Sequence, residues 1–261
     1  MFEKEEFREE LLGYFDEFKR VVTTEYNEWV VKGFIDVYKN IYTISIDTKV
    51  ISKIIELMIF PSILQFASEN NYKVLPAQHQ NHYPDITFIT EDKEKIAVDL
   101  KSTYYKNRTS VNGFTLGSFT GYFRNRSSTK NILFPYEEYS AHYVLGVVYR
   151  RTEQEVDEYK KYTIDDLRSI SSVANDFTFL LQEKWKLATD KPGSGNTKNI
   201  GSVKKINELV NGLGPFSTRG EKVFDDYWMN YLTNDMARML DSTPPYTNLR
   251  EYDIWVQNLK E

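Results

Sequence analysis

The chain has 261 residues, 41% hydrophobic and 27% charged, with no cysteine, three histidines and a formal net charge of −5. That composition belongs to an ordered globular protein large enough to bury roughly three-quarters of its unfolded surface. It excludes disulfides, thiol chemistry and cysteine-based zinc sites, so a bound metal is expected to be held by oxygen. A negative total argues against a polyanionic partner, but charge acts over only about 8 Å in physiological salt, and here the signs segregate. Acids collect in 3–17 and 153–166, and bases in 101–130 (Lys101, Lys106, Arg108, Arg124, Arg126, Lys130) and 184–205 (Lys184, Lys186, Lys191, Lys198, Lys204, Lys205).

Residues 2–20 have the spacing of an amphipathic helix, with Phe7, Leu11, Leu12, Phe15 and Phe18 on one stripe. The acidic start lacks an apolar h-region and is not read as a secretory signal. Residues 28–46 predict a hairpin turning near Lys39-Asn40. Asp47 or Thr48 is placed to cap the next helix, whose apolar stripe is Ile51, Ile54, Ile55, Met58 and Ile59, with Glu56 at its border. Pro61 is expected to end that helix, with a second segment running to Asn70. Lys53, Glu56 and Pro61 argue against a bilayer span here. The strands YKVLP, DITFIT and KIAVDLKST follow, the last two flanking the polar turn EDKE and therefore predicted to pair. Another strand covers 142–150, and 151–176 is a polar surface excursion. FTFLLQEKWKLAT returns to the core, KPGSGNTKNIGS is loop, and helices are expected near 221–240 and 248–259. Helices, then a mixed sheet, then helices predict an α/β (α+β) fold around one central sheet.

The strand KIAVDLKST poses a physical problem. Side chains alternate in a strand, so Asp99 and Lys101 share one face of an otherwise apolar segment. Folding back about a turn centred between Asp92 and Lys93 brings Asp85 level with 99–101. Two carboxylates and a lysine thus converge at one end of a hairpin. Unpaired buried charge costs several kcal/mol, and a divalent cation is the natural compensation, since Mg²⁺ takes one or two protein carboxylates and fills its other sites with water or phosphate. Four other acid-x-lysine triplets occur in the chain, at 17–19, 47–49, 91–93 and 158–160. Those are expected on helix faces, helix ends or turns, where a solvated ion pair suffices.

The pattern Pro84-Asp85…Asp99-Leu100-Lys101 resembles the active-site motif of the PD-(D/E)xK nuclease superfamily. KVISKIIELMIFP, QNHYPDITF, KIAVDLKSTY, GFTLGSFTGYFRN, TKNILFPYEEYSAH and GSGNTKNIGS occur in the order found in the EcoRV family of type II restriction endonucleases. The resemblance covers about 45–150 and 178–203, and is fainter through FDDYWMNY and EYDIWV. It implies a restriction-endonuclease-like fold with a central mixed sheet flanked by helices. It also implies Mg²⁺-dependent, sequence-specific hydrolysis of double-stranded DNA, at GATATC with blunt ends, by a homodimer in the prokaryotic cytoplasm. Asp85, Asp99 and the accessory acid Glu56 would hold one or two Mg²⁺ ions per site, with Lys101 completing the catalytic set.

In the same family the segment matching PGSGNTKNIGS reads bases in the major groove. This assigns Gly193, Ser194, Gly195, Asn196 and Thr197 to recognition, with Asn199 in support, within a recognition loop at 192–202. The chemistry agrees: glycines admit close backbone approach, and Asn pairs bidentately with adenine. The loop lacks the GxxxxGK[ST] spacing of a nucleotide-binding loop, so no nucleotide cofactor is expected. Gln80 and Asn81 map to the minor-groove loop and Thr120 to a backbone contact. The chain departs from the family at Lys198 (threonine there), His79 (glutamine) and Gly121 (serine). His82 is expected to pack or contact backbone rather than act as a base. Residues 1–46, with Trp29, Phe34 and Tyr38 as exposed-looking aromatics, are the expected dimerisation subdomain, and 47–261 the catalytic and DNA-binding domain. A junction or repair nuclease with the same core, or a DNA-binding module without chemistry, are the alternatives.

Overall fold

The structure, a computed structural model, describes residues 4–79, 81–152, 157, 159–193 and 197–259. The amphipathic N-terminal stretch forms two helices, α1 (Lys4–Leu12) and α2 (Phe15–Val22), rather than one, with a break at Gly13-Tyr14. Strands β1 (Gly33–Ile35) and β2 (Ile41–Thr43) make the expected hairpin. Its turn is organised by Asp36, whose Oδ1 accepts from the amides of Tyr38 and Asn40, both at 2.9 Å. Helix α3 (Thr48–Glu69) is capped by Asp47, which accepts from the Lys49 amide at 2.7 Å.

Helix α3 runs unbroken through Pro61, contrary to expectation. The carbonyl that Pro61 deprives of a partner belongs to Leu57, a residue on the exposed face of the helix, where the lost bond costs least. By length and hydropathy alone α3 satisfies the requirements of a membrane span. Its packing makes it a core helix: Ile51, Ile55, Ile59, Ile63 and Phe66 are buried against the sheet.

Then come β3 (Lys73–Pro76), β4 (Ile86–Ile89), β5 (Lys95–Tyr104), β6 (Thr115–Ser118), β7 (Tyr139–Arg151), β8 (Lys161–Tyr162) and β9 (Ala174–Glu183). Strand β7 begins three residues before its predicted start, and β9 begins inside the segment expected to be a surface excursion. Ile170 and Val173 of that segment are buried. The chain continues through α4 (Lys184–Leu187), β10 (Ala188–Pro192), β11 (Asn199–Ser202), α5 (Ile206–Asn211), α6 (Glu221–Asn230), α7 (Asn234–Met239) and α8 (Leu249–Asn258). Two expectations change here. Both ends of KPGSGNTKNIGS, Lys191-Pro192 and Asn199–Ser202, are strand, not loop, and the helix expected over 221–240 is two helices, the second capped by Thr233.

The central sheet has the order β3-β4-β5-β7-β9, with β5 and β7 parallel and the other neighbours antiparallel. Both faces are covered. Val98 and Ile96 of β5 and Tyr143, Leu145 and Val147 of β7 face α1, α2 and α3. Ala97 of β5 and Val144 and Val148 of β7 face an aromatic core that includes Phe119, Phe123, Tyr136, Tyr227 and Trp228. A second sheet, β10-β11-β6, carries the segment matched to recognition, and a third, β1-β2-β8, carries the N-terminal hairpin. Trp29 is fully buried, so it is not a surface aromatic, whereas Phe34 and Tyr38 are exposed.

Helix α1 is locked to the central sheet by Phe7, whose ring lies 5.3–5.9 Å from those of Phe66, Tyr72, Phe88 and Tyr143. Truncating a fully buried phenylalanine typically costs about 3–5 kcal/mol. Phe7→Ala is expected to lose that much in equilibrium urea unfolding; a loss below about 1 kcal/mol would show that α1 is not part of the core.

Candidate active site

The site begins with strand register. Ile86 pairs with Val98, which sets Asp85, the residue before β4, at the level of Asp99. The turn that fixes this register is closed by hydrogen bonds between Thr90 and the Lys93 and Glu94 backbone, with Lys93 at φ +66°. Asp85 then receives the Leu100 amide on Oδ2 at 2.7 Å. The Lys101 ammonium lies 2.7 Å from Asp99 Oδ2 and 3.5 Å from Asp85 Oδ2, and donates to the Leu100 carbonyl at 3.3 Å. Asp85, Asp99 and Lys101 are therefore one cluster, as the strand alternation predicts. Asp99 is only 5% exposed, while Asp85 and Lys101 are half-buried at the cleft edge.

Two acids share one ammonium here, and the electrostatics record the imbalance. Burial, then the charge of Asp99, pushes Asp85 up to about 7. Burial pulls the Lys101 ammonium down, but Asp99 and Asp85 outweigh it and leave it above its ordinary value. A proton or a cation added beside Asp85 relieves this imbalance. Oxygen donors of this kind suit a hard divalent ion. Among the described residues no three His, Asp or Glu side chains stand close enough together to share a metal.

Glu56 is placed near this pair but not within it. It is half-buried on α3 and bound to Lys53 at 2.6 Å. It lines, with Lys49, Ser52 and Asp85, a cleft of ≈ 870 Å³ between α3, the 76–79 segment and the β4–β5 hairpin. Asn81 is exposed at the rim-side turn, and Gln80 lies outside the described residues. The His82 amide donates to the His79 carbonyl at 3.0 Å and the two rings meet edge to face, in line with a packing role.

Of the residues matched to base reading, Ser194, Gly195 and Asn196 lie outside the described residues. Their flanks form the neck of a hairpin. The Gly193 amide donates to the Asn199 carbonyl at 2.9 Å, and a Cβ on Gly201 would meet the Gly193 α-carbon at 2.9 Å, so Gly201 is needed for this approach, whereas a Cβ on Gly193 would lie at ordinary contact distance, 3.5 Å from the Gly201 α-carbon. The neck is fixed to β6 and the residue after it: the Phe119 amide and Ser118 Oγ donate to the Lys198 carbonyl at 3.0 and 3.1 Å, and Ser118 Oγ also lies 2.9 Å from Thr120 Oγ1. Thr197 stands between Asn196 and these anchored residues.

The two basic segments divide once folded. Lys106, Arg108, Lys130, Lys191, Lys198 and Lys204 are exposed. Arg126 instead pairs with Asp225 at 3.0 Å, Arg124 bonds the Tyr231 carbonyl, and Lys184 is buried. Lys184, counted among the clustered bases, thus folds away from them. The available signal was its place in an apolar run, FTFLLQEKWKLAT.

A family model for restriction endonuclease EcoRV matches residues 25–257. A relative from Escherichia coli, the type II restriction enzyme EcoRV, is 38% identical over 235 residues, covering 89% of this chain and 93% of that protein. The chain belongs to the EcoRV restriction endonuclease family and is a site-specific deoxyribonuclease of type II.

The raised Asp85 gives a pH signature. An acid whose folded pKa of about 7 exceeds its unfolded value of 3.8 binds its proton more tightly when folded. Wild-type stability should therefore fall as pH rises from about 4 to 7 and level off above. Metal-free Asp85→Asn, which keeps an acceptor for Leu100, is expected to gain on the order of 1–3 kcal/mol over wild type at pH 8. The gain should shrink toward pH 4 in denaturant titrations. A pH-independent difference would contradict the assignment.

Proposed function

We propose that this member of the EcoRV family is a Mg²⁺-dependent endonuclease whose chemistry is carried by Asp85, Asp99 and Lys101. The observation that carries this is their convergence into one cluster whose Asp85 lines a large cleft, with that acid pushed up to about 7 where a cation would relieve it. Asp85 and Asp99 would hold the ion beside the scissile phosphate, with Glu56 an accessory acid from α3. When bound, Mg²⁺ supplies Lewis acidity toward a phosphoryl oxygen and lowers the pKa of water. Lys101, touching both carboxylates, orients them and places its ammonium where charge develops on the phosphoryl oxygens.

Sequence reading is assigned to the β10–β11 hairpin: Gly193, Ser194, Gly195, Asn196 and Thr197, with Asn199 at the neck. Gln80 and Asn81 would meet the minor groove and Thr120 the backbone. The target is GATATC, cut bluntly at its centre. The central TA step supports this choice, because pyrimidine–purine steps unstack easily and can be read by bending. A palindrome cut on both strands calls for two sites related by a two-fold axis, hence a homodimer. The exposed Phe34, Ile35, Val37 and Tyr38 in the first 46 residues are its proposed interface. The protein is proposed to act in the prokaryotic cytoplasm.

Asp85→Ala and Asp99→Ala are each expected to abolish plasmid cleavage while folding is retained, and to weaken DNA binding in Ca²⁺; wild-type rates under limiting Mg²⁺ would overturn the assignment. Sequencing the ends of digested plasmid is expected to give blunt GAT/ATC termini. Asn196 substitution should lower specificity and rate together, at about 1–3 kcal/mol per lost bidentate contact. Overhangs, or another core sequence, would refute the proposed target.

A further inference from the structure

Lys184 opens α4 immediately after β9, and its residue is 2% exposed. Its ammonium has no hydrogen-bond partner among the described residues. The rings of Tyr83, Phe123 and Tyr136 surround it instead, with centroids 4.8, 5.5 and 5.5 Å from Nζ. Gly117, at φ +90°, presents a bare α-carbon to the same space: a Cβ there would lie 3.7 Å from Nζ and 3.3 Å from the Tyr122 hydroxyl. Tyr83 is two residues before Asp85, and the charge of Asp99 acts on both Lys184 and Tyr122.

A buried ammonium without an acceptor is costly, and a methionine of similar length would fill the same space more cheaply. Ring faces offset part of that cost by cation–π attraction while leaving the charge unquenched. A carboxylate partner, by contrast, would cancel it. Burial brings Lys184 down to about 8, so it still carries its proton at neutral pH. Its field is therefore available to groups nearby, and Asp99 heads the charges that favour its protonated form. With Asp85 and Asp99 ionised and Lys101 and Lys184 protonated, the formal charges of these four groups cancel.

We propose that Lys184 is a positioning residue for phosphodiester hydrolysis: a fixed, aromatic-boxed cation packed on the Tyr83 ring, two residues before Asp85, that tempers the field of the two carboxylates toward metal and developing phosphoryl charge. It touches neither DNA nor the reacting atoms. Its charge lowers the affinity of the acid pair for a divalent cation and stabilises negative charge accumulating at the scissile phosphate. Removing it moves two quantities in a combination that loss of packing does not produce. Cation affinity rises while the maximal rate falls.

The test compares wild type with Lys184→Met and Lys184→Arg on one palindromic GATATC duplex. Three quantities are read: thermal midpoint, the Ca²⁺ concentration that half-forms the uncleaved protein–DNA complex, and the single-turnover rate at saturating Mg²⁺. Lys184→Met is expected to melt at or above the wild-type temperature, to need at least twofold less Ca²⁺, and to cleave at least tenfold more slowly. Lys184→Arg should recover most of the rate. Wild-type rate and Ca²⁺ midpoint in Lys184→Met would overturn the inference, and so would a slow, less stable Lys184→Met that Lys184→Arg does not rescue. Should Lys184→Met not fold, Lys184→Gln is judged by the same Ca²⁺ and rate criteria. The inference rests on the metal-dependent hydrolysis proposed above, and wild type separates the two. Absence of Mg²⁺-dependent cleavage by wild type defeats that proposal, whereas normal wild-type cleavage with an unaltered Lys184→Met defeats this one.

Discussion

Two carboxylates held against each other at the cleft end of a hairpin are the constraint around which this protein is arranged. The β4–β5 register brings Asp85 to Asp99, and neither acid can leave without breaking strand pairing or the Leu100–Asp85 hydrogen bond. Like charges in a low-dielectric setting demand a compensating cation. Lys101 supplies part of it by direct contact. The rest of the fold determines how dry the pair is: α3 covers one face of the sheet and the aromatic core the other.

The segments proposed to read bases and to carry the chemistry are joined by packed structure. The neck of the β10–β11 hairpin is bonded to β6 through Phe119 and Ser118. Beyond β6 the chain turns through Thr120 and Gly121 to Tyr122 and Phe123, which pack beside Tyr83, Tyr136 and the Lys184 ammonium. Tyr83 in turn leads into Asp85. A displacement of the hairpin neck by DNA thus has a contiguous route of side chains to the acid pair.

Much of the site was legible in the sequence because its logic is local. Alternation puts Asp99 and Lys101 on one face, a polar EDKE turn fixes the hairpin, and counting outward from that turn finds Asp85. The Asp47 cap and the stripe of α3 were legible for the same reason. What escaped depends on partners distant in sequence. Trp29 reads as a surface aromatic until β9 covers it, and Pro61 reads as a helix end until the carbonyl it orphans is placed at the exposed Leu57. Strand β11 hides in a Gly/Asn-rich stretch whose pairing partners are β10 and the equally Gly-containing β6. Lys184 resembles its solvated neighbours in composition, and only the rings from 83, 123 and 136 distinguish it.

The central claim is that Asp85 and Asp99 form one cation site. The most direct measurement is anomalous diffraction from crystals of the protein bound to a duplex and soaked in Mn²⁺. The account predicts an anomalous peak within about 2.5 Å of oxygens from both carboxylates, as expected for direct coordination of a hard divalent ion, with the peak lost in Asp99→Ala. Manganese bound elsewhere, with Asp85 and Asp99 still bridged only by Lys101, would contradict it.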